Sequence, residues 1–245
     1  MNRSKIILLS GKGKRFLDAG YKIPKGLIKY QNIELAIHSA KSLPKVENTI
    51  FALQDKDASK SFEKSIKKNY IKNFNFYYFT DYTNGQATSC YEVINSSENI
   101  DSFFVSSCDF SFRLNEKALD SLIIEGYESI VFTYKAKKYN FDNSKSFGWI
   151  REENNIVKNV SCKERIEPKK DSDFIIIGAF YFKEKNIFNY YYRKMLEEKR
   201  LINNETYIDI IIQMMVDDNL KIYNYPVSSF LDFGTPEQFE IQKKL

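Results

Sequence analysis

The chain holds a single histidine, His38, and that scarcity removes a large group of mechanisms. A Ser–His or Cys–His pair needs an imidazole beside its nucleophile, whereas His38 lies in an amphipathic helical pattern and reads as structural or exposed. Three cysteines, Cys90, Cys108 and Cys162, lack the spacing of a zinc site or a disulfide framework. They read as reduced thiols of a cytoplasmic protein. No apolar run reaches the roughly 20 residues of a membrane span, so no membrane partner is expected. The first apolar stretch is too short for a secretory signal and runs straight into a glycine loop. Glycine itself is sparse, at nine residues. A chain that uses so little glycine keeps it where a positive φ or close backbone approach demands it. Gly11, Gly13, Gly85 and Gly234 all fall within motif-bearing segments.

What the chain has is apolar bulk. Apolar residues make up 43% of its 245 positions, with 20 Phe and 17 Tyr, which is ample for a continuous core without staples. No repeat, low-complexity linker or Pro/Gly-rich hinge divides it, so one domain over residues 1–245 is expected. The net charge is +5, from 37 Lys+Arg against 32 Asp+Glu. These lysines are spread along the chain rather than gathered into a stripe, apart from short runs such as Lys67-Lys68 and Lys169-Lys170. That pattern reads as solvated surface rather than a nucleic-acid site, and a mild positive balance draws in small anions.

The first thirty residues carry the sharpest signal. The apolar run Ile6-Ile7-Leu8-Leu9 reads as a buried strand and opens into Ser10-Gly11-Lys12-Gly13-Lys14-Arg15-Phe16. A Gly-x-Gly-x-Arg loop lets backbone N–H groups approach a phosphate. The next segment, Gly20-Tyr21-Lys22-Ile23-Pro24-Lys25, places a second fixed cation nearby. Arg15 and Lys25 together suit the triphosphate of a nucleotide.

This stretch resembles the signature of nucleotidyltransferases that activate sugar phosphates and related metabolites. Their pattern runs Leu-Ala-(Ala/Gly)-Gly-x-Gly-x-Arg, then Pro-Lys-Pro-Leu. Here the small residues before the first glycine shorten to Ser10, and Gly26 stands in place of the proline after Lys25. The form Gly-Tyr-x-x-Pro-Lys looks most like the short members found in bacterial surface-polysaccharide clusters. The resemblance implies nucleotide contacts from Leu9, Ser10, Gly11, Lys12, Gly13 and Lys14, with Arg15 and Lys25 as catalytic cations.

Strand and helix alternate through the first half. Strands are expected at Lys5–Leu9, Thr49–Leu53, Phe74–Thr80 and Phe103–Ser107, with helices at Ile33–Ser42, Ser59–Lys68 and Ala87–Asn95. The second half reads as strands Ser129–Tyr134, Gly148–Arg151, Phe174–Phe182 and Lys221–Tyr225, with helices Glu184–Glu198 and Glu205–Asp217. The fold expected is α/β: a Rossmann-like, mixed, mainly parallel sheet with helices on both faces. The resemblance narrows this to the GT-A-like fold of nucleotide-diphospho-sugar transferases, with an acceptor-binding region at roughly 110–200. Ligands of such sheets sit at the carboxyl ends of the strands, where the first loop and the segment after Ser107 converge.

Two acids stand out. Asp109 closes the run Phe103-Phe104-Val105-Ser106-Ser107-Cys108, and an acid ending a buried strand can hold Mg²⁺ against a phosphate; a helix cap is the bland alternative. Asp232 lies in Leu231-Asp232-Phe233-Gly234-Thr235-Pro236-Glu237, where Thr235 and Pro236 read as the start of a helix but do not account for the acid. In the resembled family the two acids share one Mg²⁺. The resemblance further implies base contacts from Gly85, Gln86 and Ala87, and a nucleotide contact at Ser107. Lys163 corresponds to a lysine on the acceptor phosphate, with Cys162 where the family often has Glu, and Asn204-Glu205 resembles an acceptor-side pair. A helix start, a surface lysine and a helix cap are the structural alternatives for these three.

The expected partners are an NTP and a phosphorylated small molecule, and the expected cofactor is Mg²⁺. The acceptor stays open between a sugar phosphate and a non-sugar phosphate of phosphocholine type used with CTP. The oligomeric state stays open too, a homodimer among the options. A GT-A glycosyltransferase is a rival reading, but its Asp-x-Asp pair is absent from Asp109-Phe110-Ser111. The other rival, a non-catalytic nucleotide-binding module, would have shed Lys25 or an acid.

Overall fold

The run Ile6–Leu9 divides its side chains between two cores. Ile6 and Leu8 enter one apolar cluster, Ile7 and Leu9 another. Strands buried on both faces read as unbroken apolar runs for this reason. The computed structural model describes residues 2–54, 56–166 and 173–244; Lys169-Lys170 lies outside the described residues. In order, the elements are β1 (Arg3–Leu8), α1 (Lys14–Asp18), β2 (Lys29–Tyr30), β3 (Ile33–Glu34), α2 (Leu35–Ser42), β4 (Asn48–Leu53), α3 (Lys56–Lys68), β5 (Phe74–Tyr78), α4 (Gln86–Ser96) and β6 (Ser102–Ser107). They continue with β7 (Phe110–Arg113), α5 (Glu116–Glu125), β8 (Ser129–Lys135), α6 (Lys138–Asp142), β9 (Gly148–Glu153), β10 (Ile156–Cys162) and β11 (Phe174–Phe182). Then follow α7 (Lys185–Glu197), α8 (Ile208–Asp217), β12 (Ile222–Pro226), β13 (Ser229–Asp232) and α9 (Pro236–Lys243).

Nine strands form one mixed sheet in the order β5-β4-β1-β6-β11-β8-β12-β10-β9. From β5 to β6 every pairing is parallel, as strand–helix alternation dictates. Beyond β6 the sheet turns antiparallel, apart from the β8–β12 pair. β9 pairs with both β10 and the first half of β11, which curls that end of the sheet. One face carries α4, α7 and α8, the other α2, α3 and α5. Trp149 is fully buried, stacks on Phe141 at 5.6 Å and donates its Nε1–H to the Ser144 carbonyl, a core role. His38 bonds through Nε2 to the Tyr30 carbonyl (3.0 Å), and burial lowers its pKa. Among the described residues, no helix is long and apolar enough to cross a membrane.

Two helix starts fall two and three residues later than the sequence expectation. Ile33 and Glu34 belong to β3, because Gln31 and Asn32 adopt positive φ and turn the chain back onto β2. The helix expected from Glu205 begins at Ile208, because the preceding residues are tied elsewhere. Thr206 is fully buried and forms a bridge with Gly85. Its amide and hydroxyl both donate to the Asn84 carbonyl at 2.8 Å, and its own carbonyl accepts from the Ala87 amide at 3.2 Å. This clasp joins the start of α4 to the start of α8.

Gly85 makes the clasp possible. Its backbone lies at φ 113°, ψ 174°, a region open essentially to glycine alone. A Cβ there would sit 2.4 Å from the Thr206 carbonyl oxygen and 2.5 Å from its amide nitrogen. Gly85→Ala is expected to cost about 3 kcal/mol, from strain and clash together. Thermal denaturation would register this as a fall of roughly 10 °C in Tm. A Tm within a degree or two of the parent would show that the clasp yields easily.

Candidate functional site

The register of β1 against β6 pairs Leu8 with Ser107, so the glycine loop and the Asp109 segment leave the sheet side by side. Both open into one cleft of about 810 Å³. Gly13 takes a left-handed conformation (φ 59°) and starts the short helix α1, with its carbonyl accepting from Phe16 and Leu17. Leu9, Ser10, Gly11, Lys12, Gly13, Lys14 and Arg15 all line the cleft. Ser10 ties this loop to α4 through a 3.0 Å hydroxyl contact with Ser89. Lys12 lies over the Tyr82 ring at 5.3 Å. Arg15 is exposed and makes no ion pair among the described residues, leaving its guanidinium available.

Lys25 is the fixed cation at the centre. Its side chain is 15% exposed, and Nζ lies 2.6 Å from Asp109 Oδ2 and 3.0 Å from the Gly234 carbonyl. The Phe16 ring packs below the ammonium at 5.2 Å. The other Asp109 oxygen accepts from the Ser107 hydroxyl at 2.6 Å. Burial alone would raise the Asp109 carboxyl; Lys25 and Ser107 override it and hold the group below the usual carboxylate range. Gly26 follows without a side chain because a Cβ would meet Leu9 Cδ2 at 2.7 Å and Cys108 Sγ at 3.1 Å. Close side-chain packing from Leu9 and Cys108, just past the ends of β1 and β6, is the setting in which glycine replaces the proline of the family signature.

Asp232 reaches the same point by a device the sequence does not announce. β13 pairs antiparallel with β7, setting Asp232 opposite Phe110, and the Phe233 amide donates to the Asp109 carbonyl at 2.9 Å. The Gly234 amide donates to Asp232 Oδ1 at 2.7 Å. A methyl placed on Gly234 would lie 2.8 Å from Asp232 Oδ1 and 3.9 Å from Asp109 Oδ2, so both acids border one small space. Burial, with the Asp109 charge adding to it, pushes Asp232 up to about 6 against the Gly234 amide, Lys25 and Arg15. Thr235 then caps α9, accepting from the Gln238 amide at 3.2 Å.

These donors fit Mg²⁺. They are hard carboxylate oxygens, and a cation, the Lys25 ammonium, already rests on Asp109. Among the described residues no group of three or more His, Cys, Asp or Glu could hold a metal. Two carboxylates leave most of an octahedron to phosphate oxygens and water, which suits an ion that arrives with a nucleotide.

The remaining expected residues divide. Gly85 and Gln86 line the cleft at the start of α4. Ala87 does not: its side chain is fully buried in the apolar cluster beneath, as the second residue of a helix packed on β1. Ser107 and Lys163 line the cleft, Lys163 in a left-handed conformation with Nζ 3.3 Å from the Ser146 carbonyl. Glu205 lines it too, but Asn204 is an exposed residue at positive φ in the Ile202–Glu205 turn and points to no wall of the cleft.

Three groups at the Lys163 end of the cleft were missed. Tyr207, Asp209 and Gly148 line the cleft beside Lys163. Asp209 looks in sequence like an ordinary first-turn acid of α8, yet it is 8% exposed. A Cβ on Gly148 would lie 2.1 Å from Asp209 Oδ2, so the carboxylate rests on bare backbone. Burial pushes Asp209 up from 3.8 to about 6, outweighing Lys163 and the hydrogen bond from the Cys162 thiol. Between those two pH values the folded protein holds more protons than the unfolded chain, so this acid destabilises as pH rises through 6. A shift near two units corresponds to about 3 kcal/mol. Asp209→Asn is therefore expected to stabilise the protein by about 2 kcal/mol at pH 8, with the gain fading toward pH 4, as read by urea denaturation. A variant no more stable at pH 8 would mean the charge is fully compensated.

Solved structures share this architecture. The nucleoside-diphosphate-sugar pyrophosphorylase of Vibrio cholerae RC9 aligns with a TM-score of 0.79 at 16% identity, covering 98% of this chain and 100% of that one. The inositol-1-phosphate CTP transferase of T. maritima aligns at 0.73 and 17% identity, covering 99% and 96%. A UDP-glucose pyrophosphorylase complexed with UDP-glucose aligns at 0.75 and 17%, covering 100% and 98%. Among curated proteins none matches the sequence. The family model described as Nucleotidyl transferase matches residues 4–244, a span that takes in every residue lining the cleft, and the chain belongs to that family.

Proposed function

We propose that this nucleotidyltransferase is Mg²⁺-dependent and couples an NTP to a small phosphorylated acceptor, a sugar phosphate in the first instance. It releases pyrophosphate and forms a nucleotide-activated precursor for a capsule or other surface polysaccharide in the cytoplasm. The observation that carries this reading is the meeting of the Gly11–Arg15 loop, Lys25, Asp109 and Asp232 in one cleft.

Each part has a task. Backbone N–H groups of the loop face the β- and γ-phosphates, and Arg15 neutralises the pyrophosphate as it leaves. Lys25, held by Asp109 and Gly234, meets the charge that grows at the α-phosphate. Asp109 and Asp232 would hold Mg²⁺, which when bound would screen the phosphates and favour in-line geometry. An oxygen of the acceptor phosphate attacks the α-phosphorus; the new P–O bond forms as the bond to the β-phosphate breaks. Pyrophosphate carries away the electron pair. No side chain becomes covalently attached, which agrees with the absence of any nucleophile–histidine pair in the sequence.

The test is pyrophosphate release with Mg²⁺ from each ribo-NTP and dTTP against a panel of sugar 1-phosphates and non-sugar phosphates. Release that requires one NTP and one acceptor together is the expected result. NTP hydrolysis independent of any acceptor, or no NTP binding at all, would overturn the reading.

A further inference from the structure

Helix α4 begins on a residue that cannot cap it. Its N-cap is Gly85, which offers no side-chain oxygen to the amides of the first turn. The cap comes instead from a distant segment. The Thr206 carbonyl accepts from the Ala87 amide at 3.2 Å, and the Thr206 hydroxyl accepts from the Thr88 amide at 3.1 Å. That hydroxyl gives its own proton to the Asn84 carbonyl at 2.8 Å. The Thr88 hydroxyl, 2.9 Å away, therefore donates to Thr206, and Tyr192 donates in turn to Thr88 at 3.1 Å. Thr206 is wholly buried, so losing one of these bonds leaves its partner without water to replace it.

The residues around this hydroxyl face the cleft, while Thr206 itself does not. Gly85 and Gln86 line one side, Glu205 and Tyr207 the other. The two sides are held differently. The first turn of α4 has anchors of its own: Ser89 meets Ser10 of the glycine loop at 3.0 Å and also bonds Thr83, and Ala87 is fully buried. Residues 202–205 form a turn closed on itself through Ile202 and Glu205. It is Thr206, directly after that turn, that sets it against α4.

We infer that Thr206 is a positioning residue: its hydroxyl caps α4 from across the chain and so sets the Glu205–Tyr207 side of the cleft against the Gly85–Gln86 side. A nucleotide seated on the start of α4 then firms the opposite side, because opening the clasp would disturb the nucleotide's own contacts. This inference rests on the transferase reading, which puts the nucleotide at Gln86 and the acceptor near Lys163 and Glu205.

The test compares the parent with Thr206→Val, which keeps the shape and loses the hydroxyl, and with Thr206→Ser, which keeps the hydroxyl. Hydrogen exchange is read at the amide of residue 206, which is buried away from the cleft and so is not shielded by direct contact with a ligand. Each ribo-NTP and dTTP is added in turn with Mg²⁺, after its Kd has been measured by calorimetry. At about ten times the Kd, the NTP that binds is expected to slow this exchange about 5- to 10-fold in the parent. The slowing is expected to fall below about twofold in Thr206→Val and to persist in Thr206→Ser. With the NTP and acceptor that release pyrophosphate, Thr206→Val is expected to raise KM for the acceptor about fivefold or more and to leave KM for the NTP within about twofold. Should Thr206→Val fold poorly, Thr88→Val removes the α4 hydroxyl and spares the Thr206 bond to Asn84; the slowing is then expected to fall by about half or more. An unchanged slowing or an unchanged acceptor KM in a folded Thr206→Val protein would overturn the inference and leave the transferase reading standing. Failure of Thr206→Ser to keep the parent values would assign the effect to packing of the methyl group and overturn it as well. Slowing that depends on the hydroxyl, without pyrophosphate release from any pair, would do the reverse. No binding of any NTP would overturn both.

Discussion

Lys25→Met is expected to lower turnover on the order of 10³-fold while the protein stays folded. The ammonium is almost enclosed, bonded to Asp109 and to the Gly234 carbonyl, with Phe16 beneath it. Methionine fills the same volume without the charge, so packing against Phe16 survives and only electrostatics change. Two consequences separate this from general damage. First, Lys25 opposes the burial that raises both Asp109 and Asp232, so its removal raises both carboxyls. The acid limb of kcat/KM therefore moves to higher pH. Second, the ammonium competes with any metal for Asp109. The variant should bind Mn²⁺ more tightly than the parent in the absence of nucleotide, as followed by electron paramagnetic resonance. Near-parental turnover in a folded Lys25→Met protein would remove Lys25 from the mechanism.

Asp109→Asn should also cost turnover, on the order of 10²- to 10³-fold, but with the opposite sign in the metal titration. Mn²⁺ affinity drops, because Asp232 alone remains as a charged donor. The substitution leaves the Phe233 amide bonded to the backbone carbonyl of residue 109, so the β7–β13 ribbon has no reason to open. The pH dependence offers a further check. In the parent, Asp232 is pushed up to about 6, chiefly by burial and further by the Asp109 charge. It loses its charge as pH falls through that value, and kcat/KM in the parent should fall with it. Removing the Asp109 charge lowers the Asp232 carboxyl, so the residual activity of the variant should persist to lower pH. An unchanged Mn²⁺ affinity would show that the acid positions Lys25 and does not hold metal.

Much of this molecule could be read before folding. Ile6–Leu9, Phe103–Ser107 and the Gly11–Arg15 loop declared themselves because strand burial on both faces and a glycine-rich turn at a strand end act on neighbouring residues. Local chemistry also placed Thr235 and Pro236 at the start of α9. The alternation of elements was enough for a mixed sheet whose parallel half presents its strand ends to one cleft.

Other features belong to contacts between distant residues, where sequence spacing carries no signal. The Gly85–Thr206 clasp delays α8 to Ile208, overriding a helix pattern that looked continuous from Glu205. Ala87 is drawn into the core because the helix it begins packs on β1. The β7–β13 ribbon brings Asp232 to Asp109, and neither short strand has enough apolar periodicity to be seen alone. Asp209 is the clearest case. In sequence it is a favourable acid in a helix first turn; only the approach of Gly148 from β9 buries it and turns it toward the cleft. The sequence by itself determined most strands of the sheet, the glycine loop at the end of β1 and the class of chemistry, since these follow from local pattern, while β10 (Ile156–Cys162) was not read. Tertiary structure decided which acids share a space and which groups line the Lys163 end of the cleft, since both arise from burial and proximity between segments far apart in the chain.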